Sequence, residues 1–137
     1  MDVLFVIDTS GSRGSGRGNN DLLPDVKELL TKDNGIIDQI FKTTDNVNSV
    51  AYVSFAGKDE TYTSTWYNTS SKQQLKNRIN NLKATGGTNW TYAMQQASNA
   101  LDDRAGNKND KVLIFLSDGE PTYSMGNYWW WGQQHYG

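Results

Sequence analysis

The chain has 137 residues, a length that fits one domain with its own hydrophobic core. Its formal net charge of −2 gives no basic surface for nucleic acid, and the absence of cysteine excludes disulfides and thiolate metal sites. No apolar stretch approaches the roughly 20 residues of a membrane helix, and Met1 and Asp2 run into a strand-like segment rather than a secretory leader.

The first elements are predicted to be a buried strand and a long helix. Residues 3–7 are all apolar, which is typical of a strand buried on both faces. Residues 11–20 are rich in glycine, serine and asparagine and predict a loop. Apolar residues then recur at helical spacing from Leu22 to Phe41. Gly35 lies inside this pattern, so we expect it to break or loosen the helix in the middle.

The central part of the chain predicts a β-hairpin followed by a helix. Residues 49–57 form a second apolar strand, and residues 60–68 alternate and are rich in β-forming side chains. Only a few residues around Gly57 separate these two strands, so they should pair antiparallel. Ser71 opens a helix whose apolar residues lie on one face.

The last predicted elements are a helix and a second doubly buried strand. A glycine loop at residues 84–90 precedes a helix that contains Met94 and Leu101, and residues 111–117 form an apolar strand. The resulting order of elements is β-α-β-β-α-α-β. It predicts an α/β fold of the doubly wound, Rossmann-like kind, with a mostly parallel sheet and one antiparallel edge strand.

Polar side chains follow the two most apolar strands where each strand ends. Asp8 follows the first strand and Asp118 follows the last one, so a parallel arrangement would bring them out side by side at one sheet edge. Ser10 and Ser12 alternate with Asp8 and would share its side in an extended loop. Thr88 adds a hydroxyl from the glycine loop.

These side chains offer only oxygen atoms, from two carboxylates and three hydroxyls. Such a set suits a hard divalent cation, Mg²⁺ first and then Mn²⁺ or Ca²⁺, whereas zinc prefers sulfur or imidazole ligands. With so few charges the ion stays electron-poor, and a water-filled coordination position could accept a carboxylate from a partner. Ordinary turn hydrogen bonds of Asp8, Ser10 and Ser12, and a helix cap by Thr88, are the simpler alternatives.

Three segments, "VLFVIDTSGS", "GGTN" and "FLSDGEPT", together resemble a von Willebrand factor type A (VWA) domain and its metal-ion-dependent adhesion site. The resemblance implies that Ser10, Ser12 and Thr88 bind the metal directly, and that Asp8 and Asp118 bind it directly or through water. The forms that these motifs take here, "GGTNW" and "SDGEPTY", are most similar to those of VWA domains in adhesins of Gram-positive pilus tips and cell walls.

The resemblance covers residues 2 to about 122, so we divide the chain into a VWA-like domain at 1–122 and an aromatic tail, or the start of an inserted arm, at 123–137. VWA domains usually continue with two more strands, so residues 111–117 are expected to be an open sheet edge, completed by a second chain or a missing segment. In the tail, Trp129, Trp130 and Trp131 either line a ligand-binding face or pack against that edge.

The implied function is metal-dependent adhesion without catalysis, at a bacterial cell surface or pilus, with a protein or glycan ligand of the host or matrix. One alternative is an intracellular VWA scaffold that bridges subunits of a larger complex. Another is a Mg²⁺-dependent phosphoryl-transfer hydrolase. Such a hydrolase needs a second aspartate two residues after the first, where this chain has Ser10, and a serine hydrolase would need a histidine base, whereas the sole His135 lies in the tail.

Overall fold

The computed structural model describes residues 1–9, 22–42, 48–56, 61–83, 90–106 and 109–116. Within them the chain forms four strands, four α-helices and a short 3-10 helix at Thr69–Ser71. The strands are β1 (Asp2–Asp8), β2 (Ser49–Phe55), β3 (Tyr62–Thr63) and β4 (Lys111–Leu116). The α-helices are α1 (Leu22–Thr31), α2 (Ile36–Phe41), α3 (Lys72–Asn80) and α4 (Trp90–Asp102).

The strands form one mixed sheet in the order β3-β2-β1-β4. β1 runs parallel to both β2 and β4, and β3 pairs antiparallel with β2. The predicted doubly wound α/β fold, with its antiparallel edge strand, is therefore confirmed. Within the described part of the chain, β4 pairs with β1 alone.

Helices cover both faces of the sheet. Side chains of β1 alternate between the faces, so Phe5 lies on one side and Val6 on the other. Helices α1, α2 and α3 pack on the Phe5 side, which we call the three-helix face. Helix α4 packs on the Val6 side, which we call the α4 face. No helix among the described residues is long and apolar enough to cross a bilayer.

The long helix predicted from Leu22 to Phe41 is interrupted at Gly35, as expected. α1 ends at Thr31, Asn34 has a positive φ of 61°, and α2 begins at Ile36. A Cβ atom on Gly35 would lie 2.7 Å from the carbonyl oxygen of Leu29. Glycine is therefore needed because the two helices join through a close backbone approach.

The edge strand is shorter than the predicted segment 60–68. Ladder pairing stops after Thr63 because the Ser64 hydroxyl oxygen accepts the Tyr52 N–H at 2.9 Å. Pairing resumes at an isolated bridge between Val50 and Tyr67, with one extra residue on the edge side. Such a bulge bends and twists an edge strand, which makes it a poorer template for pairing with another chain.

Candidate metal centre

Asp8 is the last residue of β1, the strand with parallel neighbours on both sides. The residue is only 4% exposed. It pairs in register with Phe55, which belongs to the core on the α4 face. Register neighbours in a sheet point to the same face, so the Asp8 side chain lies on the α4 face at the carboxyl edge of the sheet. This is the edge at which doubly wound proteins bind ligands.

Thr9, the residue after Asp8, is anchored to β2. Its backbone N–H and its hydroxyl both donate to the carbonyl oxygen of Phe55, at 2.8 and 3.0 Å. The residue is buried, so these two bonds are shielded from water. The sequence analysis assigns no role to Thr9. Because Thr9 stands between Asp8 and Ser10, its side chain would point to the opposite side of an extended chain, and this alternation could have predicted that it faces the protein.

The start of α4 lies at the same edge as Asp8. Arg104, just after the end of α4, contacts Asp2 and Ser49 at the amino ends of β1 and β2. α4 has 13 residues and is about 20 Å long, close to the roughly 23 Å of the seven-residue β1. Because α4 packs along the sheet and ends at its amino edge, its first residue, Trp90, reaches the carboxyl edge.

Four of the five predicted metal ligands, Ser10, Ser12, Thr88 and Asp118, lie outside the described residues, as do Trp129, Trp130 and Trp131 and the whole of the tail at 123–137. The ligand set therefore stays a prediction. Among the described residues, Ile7 of β1 pairs with Leu116 of β4, which stands two residues before Asp118 in the sequence.

The described part of the predicted site fits a hard cation in its chemistry. Asp8 contributes a carboxylate at the strand end, and carboxylate oxygen is a ligand that Mg²⁺ accepts. Among the described residues no three Asp, Glu, His or Cys side chains cluster in a way that could hold a metal. An ion at this edge would thus have to be completed by the hydroxyls and the second carboxylate of the prediction.

A second buried carboxylate lies at the opposite end of β1. Asp2 is fully buried, and its oxygens lie 3.4 Å from Arg104 Nη2 and 3.2 Å from Lys111 Nζ. The Asn109 side chain donates to it at 3.1 Å, and Arg104 also stacks over the Trp66 ring at 4.9 Å. Sequence reasoning missed this cluster.

A third acidic residue, Asp38 on α2, joins two helices of the three-helix face. Lys76 Nζ lies 2.7 Å and Lys72 Nζ 3.1 Å from Asp38 Oδ1, and the Asn34 backbone N–H donates to Oδ2 at 2.8 Å. The bond from Lys76 contributes most to holding the pKa of this carboxyl well below its usual value, against the opposing effect of burial.

Fold and site together define an α/β domain of the doubly wound class with an acidic residue at the carboxyl edge of its central strand. A family model, described as von Willebrand factor type A domain, matches residues 3–120. The chain therefore belongs to the von Willebrand factor type A family.

Solved structures with the same fold include proteins of bacterial pili. The chain is 24% identical to the pilus adhesin SpaC from Lactobacillus rhamnosus GG, with a TM-score of 0.64 over 89% of this chain and 16% of the adhesin. It is 22% identical to the von Willebrand factor domain of the type V pili tip protein Mfa5 from Porphyromonas gingivalis, with a TM-score of 0.63 over 86% of this chain and 37% of that one.

A structure outside bacteria is also similar. Proximal thread matrix protein 1 from the mussel byssus is 28% identical, with a TM-score of 0.57 over 86% of this chain and 28% of that protein. The chain thus spans well under two thirds of the length of each of these proteins. A comparison with curated protein sequences found no match.

Proposed function

We propose that this domain is a metal-dependent adhesion module, in which a divalent cation at the carboxyl edge of the sheet captures a carboxylate of a partner. The observation that carries the proposal is the position of Asp8. It is a buried carboxylate at the end of the central parallel strand, on the face that α4 covers.

The framework around Asp8 supports the other proposed ligands. Thr9 is anchored to β2, so Ser10 and Ser12 follow from a fixed point. Thr88 precedes Trp90 by two residues, and Asp118 follows Leu116 by two, so each is within about 7 Å of chain from a described residue at this edge. We propose Ser10, Ser12 and Thr88 as direct ligands, with Asp8 and Asp118 binding directly or through water.

The proposed ion is Mg²⁺, with Mn²⁺ and Ca²⁺ as further candidates, because the ligand atoms are all oxygen. When bound, it would supply an electron-poor coordination position. The chain's own residues would hold and orient it, and the module would carry out no catalysis. A hydrolase that used Asp8 would need a second acid at position 10, which here is serine.

The similarity to pilus proteins supports a place for the domain at a bacterial cell surface, in the cell wall or at a pilus tip. There its partner would be a protein or glycan of the host or matrix. The family match extends to residue 120 and so includes the segments that carry Ser10, Ser12, Thr88 and Asp118.

Titration calorimetry with Mg²⁺ and Mn²⁺ tests the proposal. The chain should bind one ion, and Asp8→Ala should lose at least ten-fold in affinity, because a carboxylate is removed from a shell with only two. Asp103→Ala is the matched control, since Asp103 is an exposed acid after α4 at the other edge of the sheet, and it should leave the affinity unchanged. Equal affinities of wild type and Asp8→Ala would end the proposal.

A further inference from the structure

The three-helix face carries a cavity that the metal site does not use. Its volume is about 440 Å³, within the range of small-molecule sites. It lies between the β2–β3 edge and the end of α3, and it is lined by Tyr52, Ser54, Tyr62, Arg78, Asn81 and Leu82. Tyr52 belongs to the core on the three-helix face, so the sheet separates this cavity from the Asp8 side chain on the α4 face.

Two hydroxyl groups line this cavity. Tyr52 and Ser54 are 2% and 6% exposed, and neither hydroxyl makes a hydrogen bond to another described residue. Each can therefore bond to water or, in its place, to a polar ligand in the cavity. Burial raises the pKa of Tyr52 to about 12. The hydroxyl is protonated at neutral pH and can donate a hydrogen bond.

Arg78 gives the cavity its charge. Its guanidinium makes no ion pair or hydrogen bond within the described residues, whereas Lys72 and Lys76 of the same helix both pair with Asp38. Among the described residues, none that lines the cavity carries a carboxylate, so Arg78 has donors in a planar fork that no described residue uses. Such a fork matches the two oxygens of a carboxylate.

Tyr62 provides an aromatic surface at the cavity. The residue is 46% exposed, and its ring centroid lies 5.9 Å from that of Tyr52. An exposed aromatic ring offers an apolar face that can pack against the C–H groups of a sugar ring. Asn81, at the end of α3, adds an amide that can both donate and accept.

We propose that this cavity binds a saccharide that carries a carboxylate, of the uronic acid class. The guanidinium of Arg78 pairs with the carboxylate, and the Tyr62 ring packs against the sugar. The groups of Tyr52, Ser54 and Asn81 bond to its hydroxyls. The site needs no metal ion and stands independently of the adhesion site at Asp8.

The test uses the full 137-residue chain, with EDTA present so that no divalent cation contributes. Glucuronate, glucose and acetate are titrated in turn while amide chemical shifts are followed by NMR. Glucuronate should bind in the millimolar range and shift the amides of Ser54, Tyr62 and Asn81. It should bind at least ten-fold more tightly than glucose or acetate, because only glucuronate engages both the charge and the ring surface.

Two variants and one control locate the binding. Arg78→Gln should weaken glucuronate binding at least ten-fold and leave folding intact, since Arg78 has no partner to lose among the described residues. Tyr62→Ala should weaken glucuronate binding several-fold while acetate binding stays the same. Lys32→Gln removes an exposed cation that is not in the cavity lining and should change nothing.

The proposal is overturned if glucuronate shifts no amide of the cavity. It is also overturned if acetate binds as tightly as glucuronate, since the site would then recognise any small anion. Equal losses in Arg78→Gln and Lys32→Gln would likewise overturn it, because binding would then follow overall charge rather than this cavity.

Discussion

The two ends of β1 each carry a buried aspartate, and the two aspartates have different surroundings. Asp2 at the amino end contacts Arg104 and Lys111, two cations that the chain itself provides. Asp8 at the carboxyl end precedes a sequence rich in serine and glycine, and it lies at the edge where α4 begins. Only Asp8 lies at the edge where parallel strands open onto their connecting loops.

The difference shows why a buried carboxylate is by itself no sign of function. At Asp2 the ion pairs tie the end of α4 and the start of β4 to the start of β1, so the negative charge serves the fold. At Asp8 the proposed partner charge is an external cation, and under that proposal the negative charge would serve binding. Which role a carboxylate has depends on whether the cation comes from the chain or from solution.

The largest expected effect concerns the Asp2 end. Asp2→Asn should lower the free energy of unfolding by about 3 kcal/mol, because it leaves Arg104 and Lys111 close together without the carboxylate between them. Urea unfolding at pH 7, followed by circular dichroism, measures the change.

Asp110→Asn is the control for the Asp2 variant. Asp110 is an exposed acid at the same end of the sheet. Its backbone carbonyl accepts a hydrogen bond from the Asp2 N–H at 2.8 Å, and the substitution leaves that carbonyl in place. Its substitution should cost less than about 0.5 kcal/mol. Similar losses in both variants would mean that net charge, rather than the ion pairs of Asp2, sets the stability.

The sequence predicts the elements whose cause is local. Residues 3–7 are all apolar because β1 is covered on both faces, and Gly35 marks a helix break because a Cβ atom does not fit there. The short β3 could not be predicted. Ser64 suits an edge strand by composition, and only its approach to Tyr52 shows that its hydroxyl replaces a ladder carbonyl.

The two ends of β1 show that functional and structural sites, like secondary-structure elements, can be predicted from sequence only where their cause is local. Asp8 could be predicted as a candidate because a motif adjoins it in the sequence. The partners of Asp2 could not, since Arg104 is 102 residues away and no spacing rule connects them. Nothing in the sequence around Arg104 distinguishes its role from that of any surface cation, because the pairing arises only when α4 packs along the sheet.

The next effect concerns the Asp8 end and depends on the proposed function. Mg²⁺ at a hundred times its dissociation constant should raise the free energy of unfolding by about 2.7 kcal/mol, since the ion binds the folded chain only. Asp8→Asn should cut this gain to about 1.4 kcal/mol or less, since its affinity falls at least ten-fold. Thermal unfolding with Mg²⁺ and with EDTA gives the measurement, and a variant that gains as much from Mg²⁺ as the wild type would contradict the different roles of the two ends.

The smallest effect concerns Asp38, a carboxylate of the Asp2 kind that lies nearer the surface, with its side chain 17% exposed. Asp38→Asn should lower the free energy of unfolding by about 2 kcal/mol at pH 7, because it removes the negative charge that pairs with Lys76 and Lys72. Asp33→Asn, an exposed neighbour, is the control and should be close to neutral.

The pH dependence of the Asp38 variant distinguishes an ion pair from mere packing. The folded-state pKa of Asp38 is lowered, so its contribution is complete above the unfolded value of about 3.9 and is lost as the pH falls toward the folded value. The difference between wild type and Asp38→Asn should therefore shrink steadily below pH 4 in urea unfolding curves. A difference in the free energy of unfolding that stays constant from pH 7 to pH 2.5 would show that the shape of the Asp38 side chain, and not its charge, stabilises the fold. Asp38 would then not be an example of a carboxylate neutralised by cations of the chain.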